Sequence, residues 1–265
     1  MTKKYLVILG STSGVGQECA KQWLTKGGSC ILVARNKDKL ATICNTLNNL
    51  INEKQEIINC ICDVTRQEEI DELLLNFNSL LKNKKINALI YAMGYGKFSN
   101  FNNIANEEIE KMFKVNTFGM MQFNKYFANY FKQQGNGHII NIVSMSGKIA
   151  TPKSSLYSAT KFAMIGYCNS LRLELAPFNV FVTTINPGPI KTDFFEIADP
   201  NGNYLDSVPN FAILEPQKVA QKIINCIGKN RREINIPKIM AMGNILYQVF
   251  GRLGDLLSRT MFNKK

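Results

Sequence analysis

Seven short strand-like runs, separated by stretches of helical spacing, limit what this chain can fold into. They fall at residues 5–9, 29–34, 57–62, 86–91, 138–143, 180–185 and 233–236. Most are continuous apolar runs bounded by turn residues, the pattern of strands covered on both faces. Helical patterns lie between them, at residues 37–50, 67–81, 106–131 and 216–227 among others. Strands alternating with helices predict an α/β fold: a doubly wound parallel seven-stranded sheet with helices on both faces.

The first junction carries the most chemistry. Residues 5–9 run into Gly10, Gly14 and Gly16, and a helical pattern starts at Val15 and continues through Ala20, Trp23 and Leu24. Strand, glycine loop and helix make a phosphate site, because glycines allow close backbone approach and a helix N-terminus favours negative charge. The spacing Gly-x-x-x-Gly-x-Gly differs from the more widely spaced dinucleotide fingerprint.

A second constellation follows the fifth run. Tyr157 and Lys161 are four positions apart and share a helix face one turn apart. A phenol titrates near pH ~10, and a neighbouring ammonium favours the phenolate. A tyrosine so tuned can give or take a proton near neutral pH. Ser144, at the end of the preceding strand, offers a hydroxyl to a carbonyl oxygen. Its neighbour Ser146 is the alternative hydroxyl.

Composition narrows the partners. The chain has 265 residues, 45% hydrophobic and 20% charged, enough for one large core. No linker divides it, so residues 1–265 read as a single domain. The net charge is +12, but the lysines are dispersed and no Arg-rich tract interleaves with aromatics, which argues against nucleic acid. Solvated surface comes first, an anionic cofactor or membrane second. Seven cysteines, an odd number without framework spacing, read as reduced thiols in a cytoplasm. Cys60 and Cys62 read as small core residues. His138, the single histidine, has no metal partner in view and reads as structural, so no metal is expected. Residues 1–5 run straight into a strand and leave no room for a signal peptide.

Ser144, thirteen positions before Tyr157, together with Lys161 resembles the active site of the short-chain dehydrogenase/reductase family. The loop Leu9-Gly-Ser-Thr-Ser-Gly-Val-Gly16 resembles that family's cofactor loop. The resemblance covers roughly residues 5–236. It implies a Rossmann-type sheet and hydride transfer between a nicotinamide cofactor and a carbonyl or secondary alcohol. The catalytic set it implies is Asn116, Ser144, Tyr157 and Lys161. Ser144 would hold the carbonyl oxygen and Tyr157 would deliver the proton. Lys161 would tune the tyrosine and bond the nicotinamide ribose, and Asn116 would support a water path to the lysine.

The cofactor contacts implied are Gly10, Ser11, Thr12, Ser13, Gly14, Val15 and Gly16 in the loop, then Asp63 and Val64 at the adenine. Ala92 and Gly94 follow the fourth strand, Tyr157 and Lys161 the fifth, and Pro187, Gly188, Ile190 and Thr192 the sixth. Asp63 reads equally as the N-cap of the next helix. At the end of the second strand Ala34 is followed by Arg35, with no acid, which favours NADP over NAD. Two departures stand out. Leu9 replaces the usual threonine, and Tyr91-Ala-Met-Gly94 replaces Asn-Asn-Ala-Gly, removing residues that brace the sheet and bond on the ribose side.

Residues 193–214 lack regular periodicity and are rich in apolar side chains, which reads as a substrate lid. Residues 238–261 carry apolar residues at spacings of three and four among basic ones, which reads as a C-terminal amphipathic helix. It covers the site, packs on a subunit or lies on an anionic membrane. Together they favour a lipophilic ketone or alcohol, steroid-like or long-chain acyl. The resemblance also implies a homodimer or homotetramer. A different class of function is a cofactor-sensing binding protein that does no chemistry; the four-residue catalytic set weighs against it.

Overall fold

Alternation along each strand sorts the side chains of the sheet into two apolar layers. In the computed structural model, which describes residues 3–199, 208, 212–237, 244, 247–252 and 254–256, Tyr5, Val7 and Leu9 of the first strand join one core cluster. Leu6 and Ile8 join another.

The elements follow one another as β1 (Lys4–Leu9), α1 (Gly14–Thr25), β2 (Ser29–Ala34), α2 (Lys37–Asn48), β3 (Ile57–Ile61), α3 (Gln67–Leu80), β4 (Lys85–Tyr91) and α4 (Asn106–Phe113). After a π-helical turn (Lys114–Phe118) come α5 (Gly119–Gln134), β5 (Gly137–Ile142), α6 (Ser155–Leu175), β6 (Val180–Pro187), α7 (Phe194–Ala198), α8 (Pro216–Cys226) and β7 (Glu233–Ile236). All pairings are parallel and the strand order is β3-β2-β1-β4-β5-β6-β7. The expected Rossmann-type sheet is therefore present. The order reverses between β1 and β4, and at such a switch point the strand C-termini open a crevice for ligand.

One layer packs α3, α5 and α6 on the sheet, the other α1, α2 and α8. Phe127 of α5 is fully buried, with ring centroids 5.8 Å from both Phe77 and Phe131. Burying a side chain of that kind contributes about 1.5–3 kcal/mol.

Four features differ from the sequence expectation or lie outside what is described. The helix expected over 106–131 is split by the π turn, which places Asn116 and Thr117 side by side in the interior. Tyr91, fully buried, donates its hydroxyl proton to Val115 O in that turn at 2.5 Å and so braces β4 against it. Asp63 does not cap α3. Its Oδ1 accepts from the Thr65 N–H at 2.9 Å and hydroxyl at 2.8 Å, an Asx turn, and the residue at the N-cap is Arg66. The expected lid opens with α7, but residues 200–207 and 209–211 lie outside the described residues, as does most of the expected helix at 238–261. Among the described residues no helix is long and apolar enough to cross a membrane.

His138 proves structural. Its Nδ1 accepts from the Gly228 N–H at 3.2 Å, which leaves Nε2–H to donate to Thr183 Oγ1 at 2.7 Å. It thereby ties β5 and β6 to the turn after α8. Burial pushes its pKa down to about 4 from 6.5. The unfolded chain therefore binds a proton below pH 6.5 that the folded one refuses, and stability is lost as pH falls through that window. Urea denaturation should show the folded state losing roughly 1 kcal/mol per pH unit from this group between pH 6.5 and 4. The slope should flatten in His138→Gln.

Candidate active site

At the switch point the loops after β1 to β6, with α6 and α7, surround a cavity of about 660 Å³. The glycine loop forms its floor. Gly10 has φ +80°, and a Cβ there would stand 2.8 Å from Met93 N. A Cβ on Gly16 would stand 2.1 Å from Gly10 O. Only glycine at both places lets α1 start directly beneath the loop. Ser13, the α1 N-cap, makes no side-chain cap bond, so first-turn N–H groups remain for an anion. Gly10, Thr12, Ser13, Gly14 and Val15 line the cavity. Ser11 is buried under the loop, its Oγ donating to Val33 O at 3.3 Å. Gly16 likewise supports the loop from behind.

One end of the cavity is polar and basic. Arg35 follows β2 and is exposed; Asn36 caps α2 by accepting the Lys39 N–H at 2.8 Å. The Lys39 ammonium also faces the cavity, 3.7 Å from the Asp193 carboxylate. Asp63 and Val64 line this end together with Cys62. Burial first, and nearby carboxylates next, push the Cys62 thiol up to about 12, which makes it unreactive.

The other end carries the proton-handling groups. Ser144 lies two residues past the end of β5 in an extended conformation, and its Oγ accepts the Ser146 N–H at 3.0 Å. That bond does not use the serine's own hydroxyl hydrogen. Tyr157 and Lys161 project from successive turns of α6, 7% and 2% exposed. The Lys161 ammonium lies 5.5 Å from the centre of the Tyr157 ring and donates to Ile142 O at 3.4 Å. Burial drives the amine down to about 7. Ser144, Tyr157 and Lys161 thus line one cavity, as do Ala92, Gly94, Pro187, Gly188, Ile190 and Thr192. Gly94 lies beside the amine, where a Cβ would make ordinary contact 4.0 Å from Nζ.

Asn116 is the exception. It does not line the cavity, although Val115 does. Its Oδ1 accepts from the Tyr95 N–H at 2.8 Å, while Nδ2 donates to Tyr95 O at 2.8 Å and to Thr160 Oγ1 at 2.9 Å. Its amide clamps the segment after Gly94 to α6 and spends both Nδ2 hydrogens in doing so.

Beyond Tyr157 the walls are apolar. Phe98 meets the Tyr157 ring edge-on, with centroids 5.8 Å apart at 82°, and Phe194 lies 5.7 Å from it. These groups form a third apolar cluster, separate from the two core layers. Backbone bonds hold its walls together: Phe98 N–H to Ala198 O at 2.7 Å and Ser99 N–H to Lys153 O at 2.9 Å. Sequence reading missed Lys39, Tyr95, Phe98 and Thr151 as lining residues. For Lys39 the signal was its place one helical turn beyond Arg35; the other three sit in loops with no periodicity to read.

A family profile described as short chain dehydrogenase matches residues 4–201. The probable short-chain type dehydrogenase/reductase VdlC of Helicobacter pylori is 32% identical over 232 residues, 82% of each chain. An uncharacterized oxidoreductase of Staphylococcus aureus is 30% identical over 239 residues, 90% of this chain and 96% of that one. Among solved structures, a short-chain dehydrogenase from Sphingobium yanoikuyae in complex with NADPH superposes with a TM-score of 0.79. That superposition covers 96% of this chain and 95% of that one at 23% identity, a likeness of fold.

The buried amine predicts a pH signature. Its folded pKa lies below the unfolded value, so the ammonium destabilises the fold below about pH 7, and the cost fades as pH rises toward 10.5. Lys161→Met should raise the melting temperature of the ligand-free protein at pH 7, and the gain should shrink to little by pH 10, as followed by circular dichroism.

Proposed function

The chain belongs to the short-chain dehydrogenase family, and from that premise we propose that it is an NADP-dependent oxidoreductase interconverting a carbonyl and a secondary alcohol on a lipophilic substrate. The observation that carries the reading is that Ser144, Tyr157 and Lys161 line one cavity. The donor set fits a nicotinamide dinucleotide: a glycine loop over a helix N-terminus and two cations at the far end. When bound, the nicotinamide exchanges a hydride with the substrate carbon.

The protein supplies position and charge. Ser144 donates its hydroxyl hydrogen to the carbonyl oxygen. Tyr157 gives a proton to that oxygen in reduction and takes it back in oxidation. Lys161, protonated, steadies the phenolate left behind, and Asn116 holds Tyr95 and Thr160 around it. Gly10 through Gly16 would hold the diphosphate, with Ser11 and Gly16 acting from beneath, and Asp63 and Val64 would hold the adenine. Ala92, Gly94, Pro187, Gly188, Ile190 and Thr192 would hold the nicotinamide side. Arg35 and Lys39 supply the charge for a ribose 2′-phosphate, which is why NADP is preferred to NAD. The NADPH in the Sphingobium relative supports the choice of cofactor class.

The apolar cluster around Phe98 and Phe194 supports a lipophilic substrate. Seven free thiols support a reducing compartment, the cytoplasm. Exposed Phe162 and Leu173 on α6 support pairing of subunits through that helix into a homodimer or homotetramer. Exposed Val249, Phe250 and Leu256 in the tail favour peripheral contact with an anionic membrane as a second reading.

Loss of NADPH absorbance with a panel of polar and lipophilic ketones tests the assignment. Turnover should concentrate on the lipophilic members, and Tyr157→Phe should lower kcat by about 10²–10⁴-fold. Arg35→Ser should raise KM for NADPH about tenfold and leave that for NADH nearly unchanged. Turnover confined to sugars would contradict the substrate class. NADPH binding without turnover of any ketone would favour a cofactor sensor.

A further inference from the structure

Lys148 lies just past the short 3-10 turn Met145–Gly147 that Ser144 caps. Its side chain is buried, 8% exposed, and its ammonium donates to Glu233 Oε2 at 2.6 Å, on a strand 85 residues further along the chain. The other carboxylate oxygen of Glu233 accepts from Asn235 Nδ2 at 2.9 Å. Asn235 Oδ1 in turn accepts from Asn186 Nδ2 at 2.8 Å. Asn186 is fully buried and immediately precedes Pro187. A four-residue polar chain therefore joins the turn that carries Ser144 to the segment 187–192, and both segments line the cavity.

The turn transmits what Lys148 fixes. Gly147 N–H donates to Ser144 O at 3.0 Å, Lys148 N–H to Met145 O at 2.9 Å and Ile149 N–H to Met145 O at 3.0 Å. On its other side the turn is pressed against α6, where a Cβ on Gly147 would stand 2.8 Å from Lys161 O. The carboxyl of Glu233 is pushed up by burial, but the bonds from Lys148 and Asn235 outweigh this and hold it below its ordinary range, so it is a carboxylate at neutral pH. The Lys148 side chain is buried and that of Glu233 is 30% exposed, and a half-buried pair of this kind contributes little to stability. What a short charged bond adds is fixed geometry.

We infer that Lys148, through its ion pair with Glu233, is a positioning residue that fixes the Ser144 hydroxyl relative to the segment after β6. The inference rests on the reading of Ser144 as the group that holds the carbonyl oxygen. A shift of the turn misplaces that hydroxyl, and a misplacement of about 1 Å costs up to ~10²-fold in rate.

Lys148→Met, Lys148→Arg and Glu233→Gln, each made with Ser144 and with Ser144→Ala, test it by two readouts. The first is amide hydrogen exchange of the protein without substrate. Lys148→Met and Glu233→Gln should speed exchange across residues 144–149 about tenfold, leave β1 and α6 protected, and be largely reversed in Lys148→Arg. The second is kinetics with NADPH and the fastest ketone of the panel. Lys148→Met should lower kcat about tenfold with KM for NADPH unchanged, and should cost nothing further in Ser144→Ala. Exchange that is unchanged, or that rises over the whole chain, overturns the inference, as does a kcat loss that multiplies with Ser144→Ala. If no ketone is turned over, the reading of Ser144 fails instead, and exchange at 144–149 alone decides whether Lys148 anchors the turn.

Discussion

An amine kept out of water is the constraint on which the site depends. Lys161 is 2% exposed and has one long bond to a backbone carbonyl, so its charge is costly and its place must be imposed from outside. Met164, Cys168, Leu171 and Leu175 bury the rest of α6 in the core and stop the helix from turning the amine out to solvent. Gly147 packs against the Lys161 backbone. Charge that is expensive for the empty protein becomes useful beside an anion or a developing phenolate, and that difference is how a buried cation contributes to chemistry.

Much of the polar interior serves the loops around that amine. Tyr91 occupies a position where the family resemblance implies asparagine, and its hydroxyl holds the π turn through Val115 O. The turn in turn places Asn116 so that both backbone groups of Tyr95 are taken. The bracing expected of the missing asparagine is thus supplied by a phenol, a longer lever acting on a different partner. A π turn inserted into an α-helix often marks a functional position, and here it sits between the sheet and α6.

The strands were legible in the sequence because covered parallel strands read as short apolar runs, and β2 and β7 match the runs at 29–34 and 233–236 residue for residue. The serine, tyrosine and lysine were legible because their spacing maps directly onto a strand end and one helix face. What escaped depended on contacts between distant segments. Nothing local to residues 114–118 announces a π turn, since its cause includes a bond from β4. Lys148 and Glu233 look like two ordinary surface charges until the fold brings them together. Asp63 reads as a helix cap from type and position, but Thr65 competes successfully for the same oxygen. The aromatic walls at Phe98 and Phe194 come from a loop and a five-residue helix, both too short or irregular for apolar periodicity to be read.

The ties between those walls run from peptide group to peptide group: Phe98 to Ala198, Ser99 to Lys153. Every residue but proline offers the same N–H, and every residue the same C=O. The side chains between the knots can therefore be exchanged while the knots hold. Such a pocket behaves as a mould with a replaceable lining, and a lineage could recut it for a new molecule one substitution at a time without first loosening the frame.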